Sequence, residues 1–579
     1  MSERCGFHPG SLQPAVRIFL CPAIQRLFML RFAKLNRPAL SPVLLSALVT
    51  LYLFAGLNNT FWSRGIAVFD GHPGKLALLA VVLLLTHIAV LLVFSNKYVF
   101  KPVLMFFILV AAISAYFVDG FGVVIDHQMI RNTITTTVNE ASDLMTAAFW
   151  LHLLVFALLP IAFVALVTVK RGPVLKQLLF NGAFVAITLV AGGAIILANF
   201  SAYSSIFRER QDFMAVINPA APVAGAVKYV RRAMRETNIV AQPLGTDARQ
   251  GPVLQAAGKP LFVVLVIGET ARAQNFGLNG YARDTTPQLA QRDVINFSDT
   301  SSCGTATAVS MPCMFSHYGR NQFSNEKAKA SENLLDIVQR AGFQVAWWEN
   351  NTGHKGIAKR VPNQKLSDAT NPEFCRDGEC DDGIFTERLK PFISKAEDNT
   401  LLVMHQIGSH GPAYYKRYPQ TMEEFRPACR TAQFADCTQE EIVAVYDNTI
   451  RYTDKNIADI IDLARSNSDT LATAVIYMSD HGESLGESGL YLHGAPYFLA
   501  PDEQTRVPFV AWFSEEFKTR MKLDPECVSA GKDSPVSQDN LFHSMLGLLN
   551  IETEVRQPAL DLFGTCMSRN PDSFAMTND

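Results

Sequence analysis

The chain has 579 residues, of which 49% are hydrophobic and 18% charged, with 51 Lys and Arg against 53 Asp and Glu. That average is too apolar for an ordinary soluble enzyme and too charged for a pure membrane bundle, so two unlike halves are expected. No nucleic-acid partner is expected.

The long uncharged runs fall almost entirely before residue 200: Leu40–Leu57, Leu76–Phe94, Pro102–Val118, Met145–Val169 and Leu178–Phe200. Each is about long enough to cross a bilayer, which takes roughly 20 residues at about 1.5 Å rise, whereas buried core helices need only about 10–14. Five spans are therefore expected. Lys and Arg set their orientation. The segment before the first run carries Arg4, Arg17, Arg26, Arg31, Lys34 and Arg37, and the second and fourth connections, "SNKYVFK" and "KRGPVLK", are basic. The third, Asp119–Leu144, holds Asp119, Asp126, Glu140 and Asp143 against one Arg. By the positive-inside rule the N-terminus is cytoplasmic and everything after Phe200 lies outside. The stretch Arg17–Phe32 is too short and interrupted for a secretory signal, and reads as an amphipathic helix on the cytoplasmic face.

Residues 201–260 read as an interfacial linker, mixing basic and apolar residues in short helical patterns before Gly and Pro. From Pro260 onward, short β-branched runs alternate with amphipathic helices: "LFVVLVIG", "QVAWW", "TLLVMHQIG", "TAVIYMS" and "VPFVAWF". Continuous apolar strands separated by helices indicate a largely parallel sheet covered on both faces. One helix is clear, with Val443, Tyr446, Ile450, Ile457, Ile461 and Ala464 on one face and Thr438 and Glu441 as a capping box.

Eight of the ten cysteines lie in this outer part, and an even number on an oxidising side suggests disulfides. Nearest neighbours would pair Cys303 with Cys313, Cys375 with Cys380 and Cys429 with Cys437, leaving Cys527 with Cys566. No C-x-x-C pair occurs, so a four-cysteine zinc site is the weaker alternative. Cys5 and Cys21 fall on the reducing side and are expected to be free thiols.

In open α/β sheets ligands bind where strands end at the carboxyl edge. Glu269 and Thr270 follow "LFVVLVIG", His410 follows "TLLVMHQIGS", and Asp480 and His481 follow "TAVIYMS". Singly these are helix caps or a structural histidine; together they make a plausible zinc set lacking one ligand. The loop "SSCGTATAVSMPCMFS", residues 301–316, can supply it. A Thr or Ser hydroxyl is a poor nucleophile until a metal lowers its pKa, and a Cys303–Cys313 staple would hold it in one geometry. A surface hairpin stapled only for stability is the plainer reading, and the pattern does not choose among Thr305, Thr307 and Ser310.

The blocks "VIGETARAQNFGLNGY", "SCGTATAVSMPCMFS", "GSHGP" and "SDHGESLGESGLYLHGAP", with the outward connection "DHQMIRNTITTTVNEASDL", resemble the bacterial lipid A phosphoethanolamine transferases, integral membrane members of the alkaline phosphatase superfamily. The resemblance runs through the whole chain and shows no departure at the catalytic positions. It implies a five-helix transmembrane N-terminal domain (1–200), linker helices (201–260) and an α/β alkaline-phosphatase-like, sulfatase-like periplasmic catalytic domain (261–579). It implies Thr307 as nucleophile, bound with Glu269, Asp480 and His481 to one Zn²⁺. Lys355, His410 and His493 would contact the transferred phosphoryl group or a second metal, and Asn132, Thr136 and Glu140 would engage the donor lipid. The implied donor is phosphatidylethanolamine, the acceptor lipid A, the location the bacterial inner membrane, and the working unit a monomer.

Two other readings compete. A polyglycerolphosphate synthase, sulfatase or phosphodiesterase of the same superfamily would share the fold. A sulfatase, however, wants x-P-x-R after its nucleophile, and the stapled loop favours the phosphoethanolamine transferases. A transporter or sensor with an inactive outer domain would need charged residues along its spans, and these are nearly lacking.

Overall fold

The computed structural model describes residues 37–567 except 137, 201–202, 204–210, 237–238, 369–370 and 377. The amphipathic helix expected at Arg17–Phe32, and Cys5 and Cys21, lie outside the described residues.

Among the described residues, four helices are long and apolar enough to cross a membrane: Pro73–Val93, Phe100–Phe121, Ala147–Leu166 and Val174–Ala198. The first expected span departs from a simple crossing. Pro42–Gly56 is followed by Asn59–Val68 bent 69° away, so the total is four, or five if the bent pair counts as one. Fifteen residues at about 1.5 Å each reach only about 22 Å, short of a hydrocarbon core of about 30 Å. The break is stabilised by two buried amides. Asn58 Nδ2 donates to the carbonyls of Leu53 (2.9 Å) and Asn218 (2.8 Å), and Asn218 Nδ2 donates to those of Leu57 (3.1 Å) and Ala111 (2.6 Å). They replace partners that an ended helix leaves missing, as any backbone at membrane depth requires. Helix Val174–Ala198 is inverted relative to a soluble helix. It buries Asn181, Thr188 and Gly192 and turns Leu178, Leu179 and Val190 outward, the arrangement of a helix whose outer side meets lipid.

The acidic connection between the apolar helices Phe100–Phe121 and Ala147–Leu166 forms two short helices, His127–Thr135 and Val138–Leu144. Asp126 caps the first, accepting from the amides of Gln128 (2.8 Å) and Met129 (2.9 Å). Arg131 on that helix pairs at 2.5 Å with Glu236, the last residue of the linker helix Ala220–Glu236, and Glu236 pairs at 2.5 Å with Lys329 of the outer domain.

The outer domain is built on seven strands: β1 (Leu261–Gly268), β2 (Ile295–Phe297), β3 (Gln344–Glu349), β4 (Asn363–Lys365), β5 (Thr400–His405), β6 (Ala472–Ser479) and β7 (Phe509–Phe513). Their order is β2-β7-β6-β1-β5-β3-β4. The five strands from β6 to β4 are parallel, and β7 is antiparallel to both neighbours. Alternate residues of β1 serve two cores. Leu261, Val263, Leu265 and Ile267 join one cluster; Phe262, Val264 and Val266 join the other. That division is why the strand reads as an unbroken apolar run. The long helix Gln439–Ser466 covers the second face, opened by the Thr438–Glu441 capping box. It buries a broader face than the expected stripe, including Ile442 and Val445, while Val443 is only half-buried.

Among the described residues four disulfides are present: Cys303–Cys313, Cys375–Cys380, Cys429–Cys437 and Cys527–Cys566.

Candidate active site

Register places the chemistry. Gly268 and Ser479 stand opposite each other as β1 and β6 end, so Glu269 and Asp480 emerge side by side from adjacent parallel strands. His481 follows, its Nδ1 2.9 Å from the carbonyl of Gly482, which leaves Nε2 facing both carboxylates at 3.4 Å (Glu269) and 3.3 Å (Asp480). All three residues are buried, and one ligand atom from each lies within 4.8 Å of the others. Thr270 adopts φ 58°, a left-handed conformation costly for a β-branched residue and a form of strain concentrated at functional sites.

The stapled loop leads into the short helix Thr307–Met314, and Thr307 is its first residue. Thr307 Oγ1 donates to Glu269 Oε2 at 3.0 Å and Oε1 at 3.2 Å, and lies 3.4 Å from His481 Nε2. Among the described residues, neither of the other two hydroxyls left open by the pattern bonds to Glu269, Asp480 or His481. Thr305 donates to the carbonyl of Ala495 at 2.6 Å, and Ser310 is fully buried in the helix.

The electrostatics of the cluster favour a cation. Burial pushes the Glu269 carboxyl up, but hydrogen bonds from His405 and His481 and nearby imidazole charges outweigh it and hold it well below its ordinary value. Asp480 is pushed up by burial and by the charge of Glu269, and its Oδ2 is buried without a hydrogen-bond donor. Burial disfavours the His481 cation, yet Asp480 and Glu269 raise its pKa to about 10. Two buried carboxylates that drive an imidazole to protonate are short of positive charge. Two carboxylates, one imidazole and one hydroxyl form a donor set that fits a divalent ion such as zinc.

Around this cluster, Lys355 Nζ donates to the carbonyl (2.9 Å) and hydroxyl (2.7 Å) of Thr352. The rings of His410 and His493 lie 5.8 Å apart, and His493 is 4.5 Å from His481. Thr307, Lys355, His410 and His493 line one cleft, which Asn132 and Thr136 of the membrane loop share. The Glu140 side chain lies outside the described residues.

The sequence reading missed a second layer. His405, the last residue of β5, sits in register with Glu349 of β3; its Nδ1 is 2.8 Å from Glu349 Oε1 and its Nε2 3.7 Å from Glu269 Oε2. Asn351 Nδ2 donates to Glu269 Oε2 at 2.7 Å, and Trp347 Nε1 donates to Glu349 Oε2 at 2.9 Å. Glu483 accepts from Tyr414 Oη at 2.5 Å and holds His493 Nδ1 at 3.0 Å. Gln538 accepts from the Cys303 amide at 2.7 Å and donates to the carbonyls of Ser479 (2.8 Å) and Asp480 (2.6 Å), fastening the stapled loop to the end of β6. The available signal was a charged or titratable residue closing an otherwise apolar strand, as in "WWE" and "VMH".

Residues 262–551 match the sulfatase family and residues 83–234 the phosphoethanolamine transferase EptA/EptB family. The chain is 37% identical over 538 residues to phosphoethanolamine transferase EptA of Escherichia coli K12, covering 92% of this chain and 98% of that one. It is 36% identical to phosphatidylethanolamine transferase Mcr-1 of Escherichia coli over 495 residues, 83% of this chain and 91% of that one. The solved integral membrane lipooligosaccharide phosphoethanolamine transferase EptA from Neisseria meningitidis superposes with a TM-score of 0.88 at 35% identity, over 92% of this chain and 100% of that one. With more than a third of its residues identical over nine-tenths of its length to one such transferase, and the fold of a solved one, the chain belongs to the phosphoethanolamine transferase family.

Proposed function

We propose that this protein transfers phosphoethanolamine from phosphatidylethanolamine to lipid A, in two steps through a phosphoethanolamine adduct on Thr307. The observation that carries this reading is the contact of Thr307 Oγ1 with Glu269 and His481 inside a cleft that the membrane loop also lines. The chain would sit in the bacterial inner membrane as a monomer, with its N-terminus cytoplasmic and its catalytic domain periplasmic, at the surface where both lipids present their headgroups.

A zinc ion held by Glu269, Thr307, Asp480 and His481 would lower the pKa of the threonine hydroxyl and offset charge developing on the phosphoryl oxygens. Thr307 Oγ1 attacks phosphorus in line; the Oγ1–P bond forms, the bond to the glycerol oxygen breaks, and diacylglycerol departs. The proton Thr307 gives up is matched by the one diacylglycerol carries away. His493, whose Nδ1 is held by Glu483 and which lines the cleft, would carry that proton to the departing glycerol oxygen. Lys355 and His410 hold the phosphoryl oxygens. A phosphate oxygen of lipid A then attacks from the side diacylglycerol left, forming a P–O–P link and breaking Oγ1–P, and a proton from the acceptor phosphate restores the threonine. Asn132, Thr136 and Glu140 would guide the donor headgroup. The added ammonium lowers the negative charge of the cell surface, which would weaken attraction of polymyxin and other cationic peptides.

The test is peptide mass spectrometry after incubating the full-length protein with phosphatidylethanolamine and no acceptor, alongside Thr307→Ala. An adduct on Thr307 that vanishes in the variant is expected; no adduct in a zinc-loaded wild type would overturn the two-step reading.

A further inference from the structure

A cavity of about 350 Å³ lies at the seam between the membrane helices and the outer domain, and shares no lining residue with the cleft of Thr307. Two irregular stretches of membrane backbone border it. Gly56 and Asn59 stand on either side of the 69° break, and Phe156 lies in the π-helical turn Leu154–Leu158. Pro160 lacks the amide that the Phe156 carbonyl would accept from in a regular helix, and Tyr52 Oη takes that carbonyl at 2.7 Å. Such backbone is tolerated at membrane depth where it is buried in protein or lines a cavity. The roof is the outer-domain loop stapled by Cys429–Cys437, which contributes Gln433 and Phe434. Gln433 Oε1 accepts from Tyr116 Oη (2.8 Å) and Thr146 Oγ1 (3.0 Å), tying the roof to two membrane helices.

The walls select a cation. They combine the rings of Tyr116, Phe121, Phe156 and Phe434 with one carboxylate, Asp119. Asp119 accepts from the amide (3.0 Å) and hydroxyl (2.6 Å) of Thr60 and from Asn59 Nδ2 (3.4 Å), all neutral donors. No Lys or Arg lines the cavity among the described residues. On the elements that form the walls, Arg430 pairs with Glu423 at 2.5 Å, Lys101 donates to the carbonyl of Ala165 at the other end of its helix, and Arg64 is engaged as well. Asp436, exposed on the roof loop, adds a second negative charge. A carboxylate set among aromatic faces is the chemistry that recognises an alkylammonium. Gln433, whose Oε1 takes both hydroxyls, keeps its Nε2 hydrogens for a phosphate oxygen. A lipid carrying an ammonium and one phosphate meets both requirements, whereas a purely anionic headgroup would be repelled by Asp119.

We propose that this cavity is a second, non-catalytic site for the headgroup of an ethanolamine phospholipid, with the ammonium on Asp119, the phosphate on the Gln433 amide and the acyl chains in the bilayer beside the broken helix. The site stands on the cavity alone and holds whether or not Thr307 carries an adduct. Full-length Thr307→Ala removes turnover, and dihexanoylphosphatidylethanolamine bound to it is counted by native mass spectrometry across a titration. Adding Asp119→Asn keeps an oxygen for the Thr60 contacts but removes the charge, and should weaken one bound lipid at least about tenfold. Phe156→Leu keeps the wall apolar and should weaken the same lipid about threefold. Lys355→Gln, in the other cleft, should leave that lipid in place, and dihexanoylphosphatidylglycerol should not displace it. Identical titrations with and without Asp119→Asn would overturn the proposal. So would displacement by phosphatidylglycerol at equal concentration, or loss of the lipid in Lys355→Gln alone.

Discussion

Gly408 lies in the turn after β5 with φ 50°, and its amide donates to Asp382 Oδ2 at 2.8 Å. A Cβ built there would fall 2.6 Å from the carbonyl oxygen of Glu269, 3.0 Å from its nitrogen and 3.1 Å from its Cβ. Those atoms cannot rotate away, because they belong to the backbone and first side-chain carbon of a metal-ligand candidate. Gly408→Ala should therefore carry two costs. The left-handed conformation costs about 1–2 kcal/mol, and relief of the contact about 1–3 kcal/mol by shifting Glu269. A total of about 2–5 kcal/mol is a large share of the ~5–15 kcal/mol that holds a typical domain together. The shift itself should lower kcat/KM about a hundredfold, since displacement near 1 Å at a reacting centre costs that much. Gly280→Ala is the matched control: φ is 89° and nothing lies within 4 Å of the added carbon. It should show the conformational cost alone and full activity. Thermal melts, zinc content and transfer kinetics on both variants test the reasoning. Equal melting points with undiminished kcat/KM in Gly408→Ala would refute it.

The second layer makes its own prediction: Glu349→Gln or His405→Asn leaves a buried charge without its partner, at a cost of about 3–5 kcal/mol, and weakens zinc binding about 10–100-fold. Chelator competition reads this, and unchanged affinity would remove the layer from any role in holding Glu269. Asp454, fully buried, accepts the amides of Gln288 (2.9 Å) and Leu289 (2.8 Å), yet burial pushes its pKa up to about 7. Its folded form holds a proton that the unfolded form has lost, so this stabilisation is complete below about pH 4 and disappears as pH rises through 7. Asp454→Asn should flatten that part of the melting profile between about pH 4 and 7, and an unchanged slope would count against it. Cys303→Ser with Cys313→Ser opens a loop of sequence separation 10 and should cost about 3 kcal/mol. Transfer should fall further than stability, and a variant that melts lower but transfers normally would reduce the staple to a stabilising role.

Continuous apolar runs, lysine and arginine placement and turn residues are local, so the membrane half, the largely parallel sheet and the Thr438 cap could be read from the sequence. Long ordered motifs pointed to the family. The break after Gly56 could not be read this way, because it depends on Asn218, 160 residues from Asn58. Nor could pattern alone choose among Thr305, Thr307 and Ser310. What distinguishes Thr307 is a contact with Glu269 across 38 residues. His405 and Glu349 look like strand residues until register sets them side by side against Glu269. Local sequence determined which segments are strand, helix or span, because period and propensity act over a few residues. Tertiary structure decided which polar groups meet, because strand order and register bring together residues whose separation in sequence carries no signal of their contact.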